Sequence, residues 1–226
     1  MKLLAIDSFS SVLSAALLNG DTTHYAQAGT EMKHSELLID LLDSLCREAE
    51  IKPADIDGVL CMEGPGSFTG LRIGYSSAKG LALSLSIPFA AIPTFDCIAH
   101  GFKDGSLILT LADARKNAWF YAFFRGEKRL STDGDGDYSM IADGINNFLN
   151  KHANEKIILT GSGASSFFES IPNGQRENYI LNREKGGYAR ELIFIAQERE
   201  IFKNDNSGFL FSGPQYLRKS DAELNS

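Results

Sequence analysis

The sequence predicts an α/β protein of two related lobes, and three of its features fit this fold class. First, residues 3–21 and 109–127 align without a gap, and both read as an apolar run, an acid with a short polar turn, and a second apolar run. Second, each half then carries an apolar strand that runs into a glycine loop, at 58–66 and at 156–163. Third, apolar runs of this length between turns are typical of strands buried in a sheet.

The internal repeat indicates a duplication, because self-similarity in the same order marks repeated structural units. The alignment pairs Asp7 with Asp113, Ala16 with Ala122 and Gly20 with Gly126. Hairpins and strand-to-helix glycine loops also recur in unrelated α/β proteins, so this alternative stays open. Glycines near residue 103 break the pattern. We therefore expect lobes at 1–103 and 104–226, with the C-terminal tail returning to the first lobe.

Two lobes that each present an acidic hairpin turn and a glycine loop describe the actin-like ATPase architecture, also called ribonuclease-H-like. In that design a nucleotide lies in the cleft that the lobes face. The residues expected at a residual nucleotide cleft are Asp7, Ser8, Gly64, Gly66, Ser67, Asp113, Gly161 and Gly163. The two acids have an alternative role, in which each caps its own turn through the backbone.

Composition narrows the classes of function. A formal charge of -7 and a pI near 5.1 argue against a free-standing nucleic-acid binder, which needs a basic surface. The three cysteines have no CxxC spacing, which fits a reducing cytosol better than a disulfide framework or a zinc site. No apolar run approaches the roughly 20 residues of a membrane span, so we expect a cytoplasmic protein.

Two helices with distinctive faces are predicted in the first half. Residues 35–49 carry a wide leucine stripe, which either packs on the helix's own sheet or is used in part to dock a partner. From Thr69, small residues recur at every fourth position. Interior glycine costs about 1 kcal/mol against alanine, so the small-residue line needs a close neighbour, either the first helix or another chain. The residues predicted at a partner interface are Leu38, Leu41, Leu42, Leu45, Gly70, Gly74 and Ala78.

Two further segments have patterns that predict local structure. A third helix is predicted between residues 188 and 202. The acidic, glycine-rich segment 131–139 is predicted to be a solvated loop. It lacks the spacing and the terminal Glu of an EF-hand, so we expect no calcium there.

The string GPGSFTGLRIG at 64–74 is the most specific motif of the chain. It predicts a strand, a tight turn and a helix N-terminus, whose free amides and dipole favour an anion. No Gly-Lys-Ser/Thr follows, so the string is not a P-loop. The residues alone leave two alternatives open, an anion cradle and a structural strand-to-helix turn.

As a signature, this string resembles that of the TsaB (YeaZ) family of tRNA threonylcarbamoyladenosine biosynthesis proteins. The likeness extends to residues 4–8, 113–115, 161–163 and 214–218. The resemblance implies a non-catalytic scaffold for threonylcarbamoyl transfer to adenosine 37 of tRNA (t6A). It implies a heterodimer with the catalytic paralogue TsaD, assembly with the ATPase TsaE, and contact with tRNA only through the complex. It implies no cofactor, and leaves open both weak ATP or ADP binding at the partner interface and a homodimer of the chain alone.

TsaD-like proteins carry a His-x-x-x-His metal motif just after an Ile-Pro, and ligands at this spacing share one helical face. The matching stretch here is 92–100, where Asp96 replaces the first histidine and His100 remains. We therefore predict no metal, no catalytic residue and a pseudoenzyme subunit. One alternative is a stand-alone actin-like ATPase or phosphotransferase that uses Asp7 and Asp113, although its phosphate-binding turns would lack glycine. A peptidase is a third alternative, but the sequence has no Ser/His/Asp or Cys/His set at recognisable positions.

Overall fold

In the computed structural model the described residues are 1–29, 34–149, 155–183, 186–203 and 212–218. The chain divides into two compact units. Unit 1 comprises Met1–Cys97 and Gly186–Gln215, and unit 2 comprises Ile98–Lys185 and Tyr216–Ser226. The first unit therefore ends a few residues before the position expected from the sequence, and it includes the segment that carries the third predicted helix.

Unit 1 contains one five-stranded sheet. Its strands are β1 (Lys2–Asp7), β2 (Val12–Asn19), β3 (Thr22–Gly29), β4 (Gly58–Gly64) and β5 (Phe89–Pro93), in the order β3-β2-β1-β4-β5. The first three strands pair antiparallel, whereas β1, β4 and β5 pair parallel. The sheet is thus a hairpin meander joined to a parallel half.

Helices precede and follow the parallel strands of unit 1. They are α1 (His34–Glu48), α2 (Phe68–Leu85) and α3 (Thr94–Ala99), which runs into the start of unit 2. Leu4 and Ile6 of β1 share one buried core with residues of α1 and α2, such as Leu45 and Ala78. Because successive strand residues alternate between faces, Asp7 is expected on the opposite face of the sheet.

Unit 2 repeats this design. Its strands are β6 (Leu107–Asp113), β7 (Ala118–Arg125), β8 (Lys128–Arg129), β9 (Gly134–Asp137), β10 (Ile157–Thr160) and β11 (Tyr179–Leu181), in the order β11-β10-β6-β7-β8, with β9 also on β7. Helices α4 (Tyr138–Leu149) and α5 (Ala164–Ser170) share one core with β6, β7 and β10. Helix α6 (Ala189–Glu198) belongs to unit 1.

The two sheets confirm the predicted duplicated α/β fold. Each unit begins with an antiparallel hairpin whose first strand pairs parallel with the strand that enters the glycine loop. Gly20 and Gly126, which the repeat aligns, both have a positive φ where their hairpins end. One difference is the hairpin turn. Residues 8–13 separate the pair Asp7 and Ser14, whereas residues 114–118 separate Asp113 and Trp119, so the turn of unit 2 is one residue shorter.

The prediction of a solvated loop at 131–139 is wrong. Residues Gly134–Asp137 form β9 on the edge of β7, and Tyr138 begins α4. A Cβ atom at Gly134 would lie 2.5 Å from the ring of Tyr121, so glycine lets this strand approach the aromatic neighbour. The polar, glycine-rich sequence of β9 is not typical of a strand, because its glycines are needed for close contact with the Tyr121 ring. None of the helices in the described ranges is long and apolar enough to cross a membrane.

Candidate functional site

Asp7 ends β1, is fully buried, and accepts four hydrogen bonds. Its Oδ1 accepts from the amide of Phe9 (3.2 Å), while Oδ2 accepts from the amides of Gly187 (3.2 Å) and Tyr188 (2.8 Å) and from the hydroxyl of Ser14 (3.3 Å). Burial raises the pKa of the carboxyl from 3.8 to about 6, although all four hydrogen bonds act to lower it. The carboxylate therefore caps its own turn and the N-terminal end of α6.

Asp113 holds the equivalent position in unit 2 but is exposed. Its Oδ1 accepts a hydrogen bond from the amide of Arg115 at 2.7 Å. The Asp7 contact with Phe9 has the same spacing of two residues, so both acids close an Asx turn of the kind that the alternative interpretation describes. A nucleotide-facing role for either acid stays a prediction.

The small-residue line of α2 faces the β1–β2 turn of the same unit. The hydroxyl of Ser8 donates to the carbonyl of Gly70 at 2.8 Å. A Cβ atom at Gly70 would lie 2.0 Å from the Ser8 carbonyl oxygen, and one at Gly74 would lie 2.3 Å from Ser8 Oγ. The close neighbour that these glycines require is thus Ser8. This close contact lies within unit 1, and a role of the two glycines at a partner interface stays a prediction.

The glycine loop before α2 is also filled by the chain itself. Gly64 has φ +118°, and a Cβ atom there would lie 2.5 Å from the carbonyl oxygen of Gln215, whose amide donates to the carbonyl of Glu63 at 2.7 Å. Gly66 packs against Phe9, whose carbonyl accepts from the amide of Ser67 at 3.0 Å. The Ser67 hydroxyl in turn caps α2 by accepting from the Gly70 amide at 3.3 Å. These contacts fit the structural-turn alternative for the motif.

The second glycine loop packs in a similar way in unit 2. Gly161 has φ +97°, and a Cβ atom there would lie 2.4 Å from the carbonyl oxygen of Leu111. The amide of Gly163 donates to that same carbonyl at 3.0 Å, and a Cβ atom at Gly163 would lie 2.8 Å from the Trp119 ring. Both glycines therefore allow the loop to close on the end of β6.

The predicted interface leucines of α1 also lie toward the interior of unit 1. Leu38 and Leu45 are buried in the core that holds Ala78, and Leu41 and Leu42 pack half-buried against it. The stripe thus packs against the core of its own unit, and use of its half-buried part at a partner interface stays a prediction. The large apolar side chains that these helices leave exposed are Ile39 (67% exposed) and Leu83 (63%). No sequence pattern indicates either residue, because each stands alone on the polar side of its helix.

The two residues at the metal-motif positions have other partners. The guanidinium of Arg199 donates to Asp96 Oδ2 at 2.8 Å, within unit 1. In unit 2, His100 Nε2 lies 3.9 Å from Glu127 Oε1. Within the described part of the chain, no group of three or more His, Cys, Asp and Glu side chains could hold a metal ion.

The duplicated fold and a family match together define the class of protein. The family model described as TsaD: tRNA N6-adenosine threonylcarbamoyltransferase matches residues 11–172. The structure of YeaZ from Pseudomonas aeruginosa has a TM-score of 0.76 at 20% identity and covers 96% of this chain and 99% of its own. A second structure, of a protein with similarity to peptidase YeaZ from the same organism, has a TM-score of 0.77 at 22% identity with the same coverage. The chain is a TsaD-like protein with a duplicated actin-like fold.

Two relatives narrow this class. The tRNA threonylcarbamoyladenosine biosynthesis protein TsaB of Bacillus subtilis (strain 168) is 30% identical over 229 residues, which cover 99% of this chain and 96% of that protein. TsaB of Escherichia coli (strain K12) is 26% identical over 187 residues, or 81% of this chain and 79% of that protein. The chain belongs to the TsaB family.

Proposed function

We propose that the chain is the non-catalytic scaffold and activator that TsaD needs for threonylcarbamoyl transfer to adenosine 37 of tRNA. It acts in the cytoplasm, assembles with TsaD and TsaE, and has no cofactor of its own. The observation that carries this proposal is the 30% identity to a TsaB protein over 99% of the chain. The net charge of -7 adds support, because an acidic protein reaches tRNA best through a partner.

Two contacts support the non-catalytic part of the proposal. A metal ion at Asp96 would have to displace the guanidinium of Arg199, which already neutralises that carboxylate. A Mg²⁺ ion at Asp7 would have to draw a fully buried carboxylate away from four donors. The alternative of a stand-alone ATPase depends on these acids, so it is less well supported than the scaffold.

We place the TsaD-binding surface on the outward faces of α1 and α2. Each helix leaves one large apolar side chain exposed there, Ile39 and Leu83 respectively. Gly80 of α2 is also exposed, and a Cβ atom added to it would meet nothing within 4 Å. A small residue beside exposed apolar side chains allows another backbone to approach closely.

Reconstituted tRNA modification tests the proposal. We expect t6A to form when TsaD, TsaE and this chain are combined with tRNA and a source of activated threonylcarbamoyl groups, and to fall to background when the chain is left out. The chain without TsaD should show no transfer, because the catalytic groups belong to TsaD. Transfer by the chain alone, or full modification in its absence, would reject the scaffold role. Titration of the free chain with ADP then measures any residual nucleotide binding directly.

A further inference from the structure

The C-terminal motif at 214–218 ends in an arginine whose contacts all lie in unit 2. The guanidinium of Arg218 forms a two-pronged ion pair with Asp135 of β9, from Nε to Oδ2 and from Nη2 to Oδ1. Its Nη1 donates to the carbonyl oxygen of Ala114 at 3.1 Å, and its centre lies 5.6 Å from the ring centroid of Phe120. One side chain thus joins a strand of the sheet to the β6–β7 turn.

That turn has an unfavourable backbone. Three consecutive residues of the turn have a left-handed backbone, which residues other than glycine rarely adopt. Their φ values are 60° for Arg115, 56° for Lys116 and 56° for Asn117. Inside the turn, the amide of Ala114 donates to the carbonyl of Ala118 at 3.1 Å, and the amide of Ala118 donates to that of Arg115 at 3.2 Å. Such a conformation persists only where the surroundings over-determine it.

The matching turn of unit 1 is held by buried contacts with a helix. Ser8 and Ser10 are buried, and Ser8 is held against Gly70 and Gly74 of the long helix α2. In unit 2 the three left-handed residues are exposed. Arg218 contacts this exposed turn from a remote part of the chain, at the carbonyl of Ala114.

We propose that Arg218 is a positioning residue that holds the 113–117 turn in its left-handed conformation, so that the C-terminal motif braces the turn carrying Asp113. The two-pronged contact with Asp135 fixes the guanidinium plane, because a charge-assisted pair of parallel hydrogen bonds is directional as well as strong. The structural role of Arg218 is independent of the proposed function. Only the functional use of the turn rests on it, because Asp113 is a predicted residue of the residual nucleotide site.

Hydrogen exchange at the amides of Ala114, Arg115 and Ala118, followed by NMR on the free full-length chain, tests the brace. These three amides make the hydrogen bonds of the turn. Arg218→Ala should speed their exchange roughly tenfold, because the turn then opens locally more often. Arg218→Lys should give most of this effect, since an ammonium group cannot form the fork. Asp135→Asn should act in the same direction.

The matched control is Arg176→Ala. Arg176 also lies in unit 2, over the ring of Phe168, but it donates to the carbonyls of Ile171 and Glu169 instead of the turn. This variant should leave the three exchange rates unchanged. The proposal is overturned if Arg218→Ala leaves them unchanged too, or speeds exchange equally throughout β6 and β7, as global destabilisation would. No TsaD is present in this measurement, so its failure is distinct from a failure of the scaffold role.

Discussion

Asp7 shows how a single buried carboxylate makes stability depend on pH. Its pKa is raised to about 6 in the folded chain by burial, whereas the unfolded value is near 4. The folded state therefore binds the proton more tightly. The contribution to the free energy of unfolding is present in full below pH 4 and is lost as pH rises through 6. Two pKa units correspond to about 3 kcal/mol.

We expect this pH dependence to disappear in Asp7→Asn, because the side-chain amide has no proton to lose in this pH range. The variant should be less stable overall, because an amide group would face the donors of Gly187 and Tyr188. The stability of the native chain relative to the variant should fall by up to about 3 kcal/mol between pH 4 and pH 7. Urea unfolding at several pH values measures this difference. Parallel profiles for the two proteins would contradict the assignment.

Asp7 also shows how far the environment of a single residue can be predicted from the sequence. The repeat paired Asp7 with Asp113 and left turn capping open for both, and the structure gives each acid a turn of that kind. The sequence could not separate their burial, because the amides that cover Asp7 belong to Gly187 and Tyr188, which are remote along the chain. Burial of a polar residue depends on such distant contacts.

Helix α2 has glycines on two faces with opposite consequences. Gly74→Ala would place a methyl group 2.3 Å from Ser8 Oγ, so we expect a loss of about 1–3 kcal/mol in the free energy of unfolding. Gly80→Ala meets no atom within 4 Å and should stabilise the helix by up to about 1 kcal/mol. The pair is matched in chemistry and in helix, so unfolding in urea compares the two sites directly. Equal effects would mean that Ser8 does not crowd Gly74.

The periodicity of α2 predicted a line of small residues and a close neighbour, and both exist. It did not identify the neighbour, because spacing along a helix specifies a face and not what covers it. The leucine stripe of α1 was equally clear, and the structure turns it toward the sheet. Helix faces were thus readable from the sequence, whereas the residues that cover them within unit 1 needed the fold.

Pairing with TsaD is tested best at a position that leaves the fold intact. Gly80→Leu adds a bulky side chain where unit 1 has open space, so the variant should fold normally. We expect its affinity for TsaD to fall at least tenfold if the outward face of α2 is the docking surface. Gly174→Leu is the control, because this glycine in unit 2 also has nothing within 4 Å. Unchanged binding of Gly80→Leu in titration calorimetry would place the interface elsewhere.

For the molecule as a whole, the duplication was the most predictable property. The repeat predicted two related α/β lobes, each with a hairpin and a strand that enters a glycine loop, because buried strands and glycine loops leave strong local patterns. The grouping of Gly186–Gln215 with unit 1 left a weaker trace, since it depends on contacts such as that of Gln215 with Glu63. Local sequence patterns predicted the two units, whereas contacts between residues far apart in the chain determine which segments belong to each unit.

Trp119 is the single tryptophan of the chain, and it lies in unit 2. Its indole nitrogen donates to Ser166 Oγ at 3.0 Å, and its ring packs edge-on to Phe167 at 5.2 Å between centroids. Intrinsic tryptophan emission therefore reports on one half of the molecule only. If the halves melt independently, emission and far-ultraviolet circular dichroism will give different midpoints, and a two-state fit to either curve alone would misstate the stability of the other half.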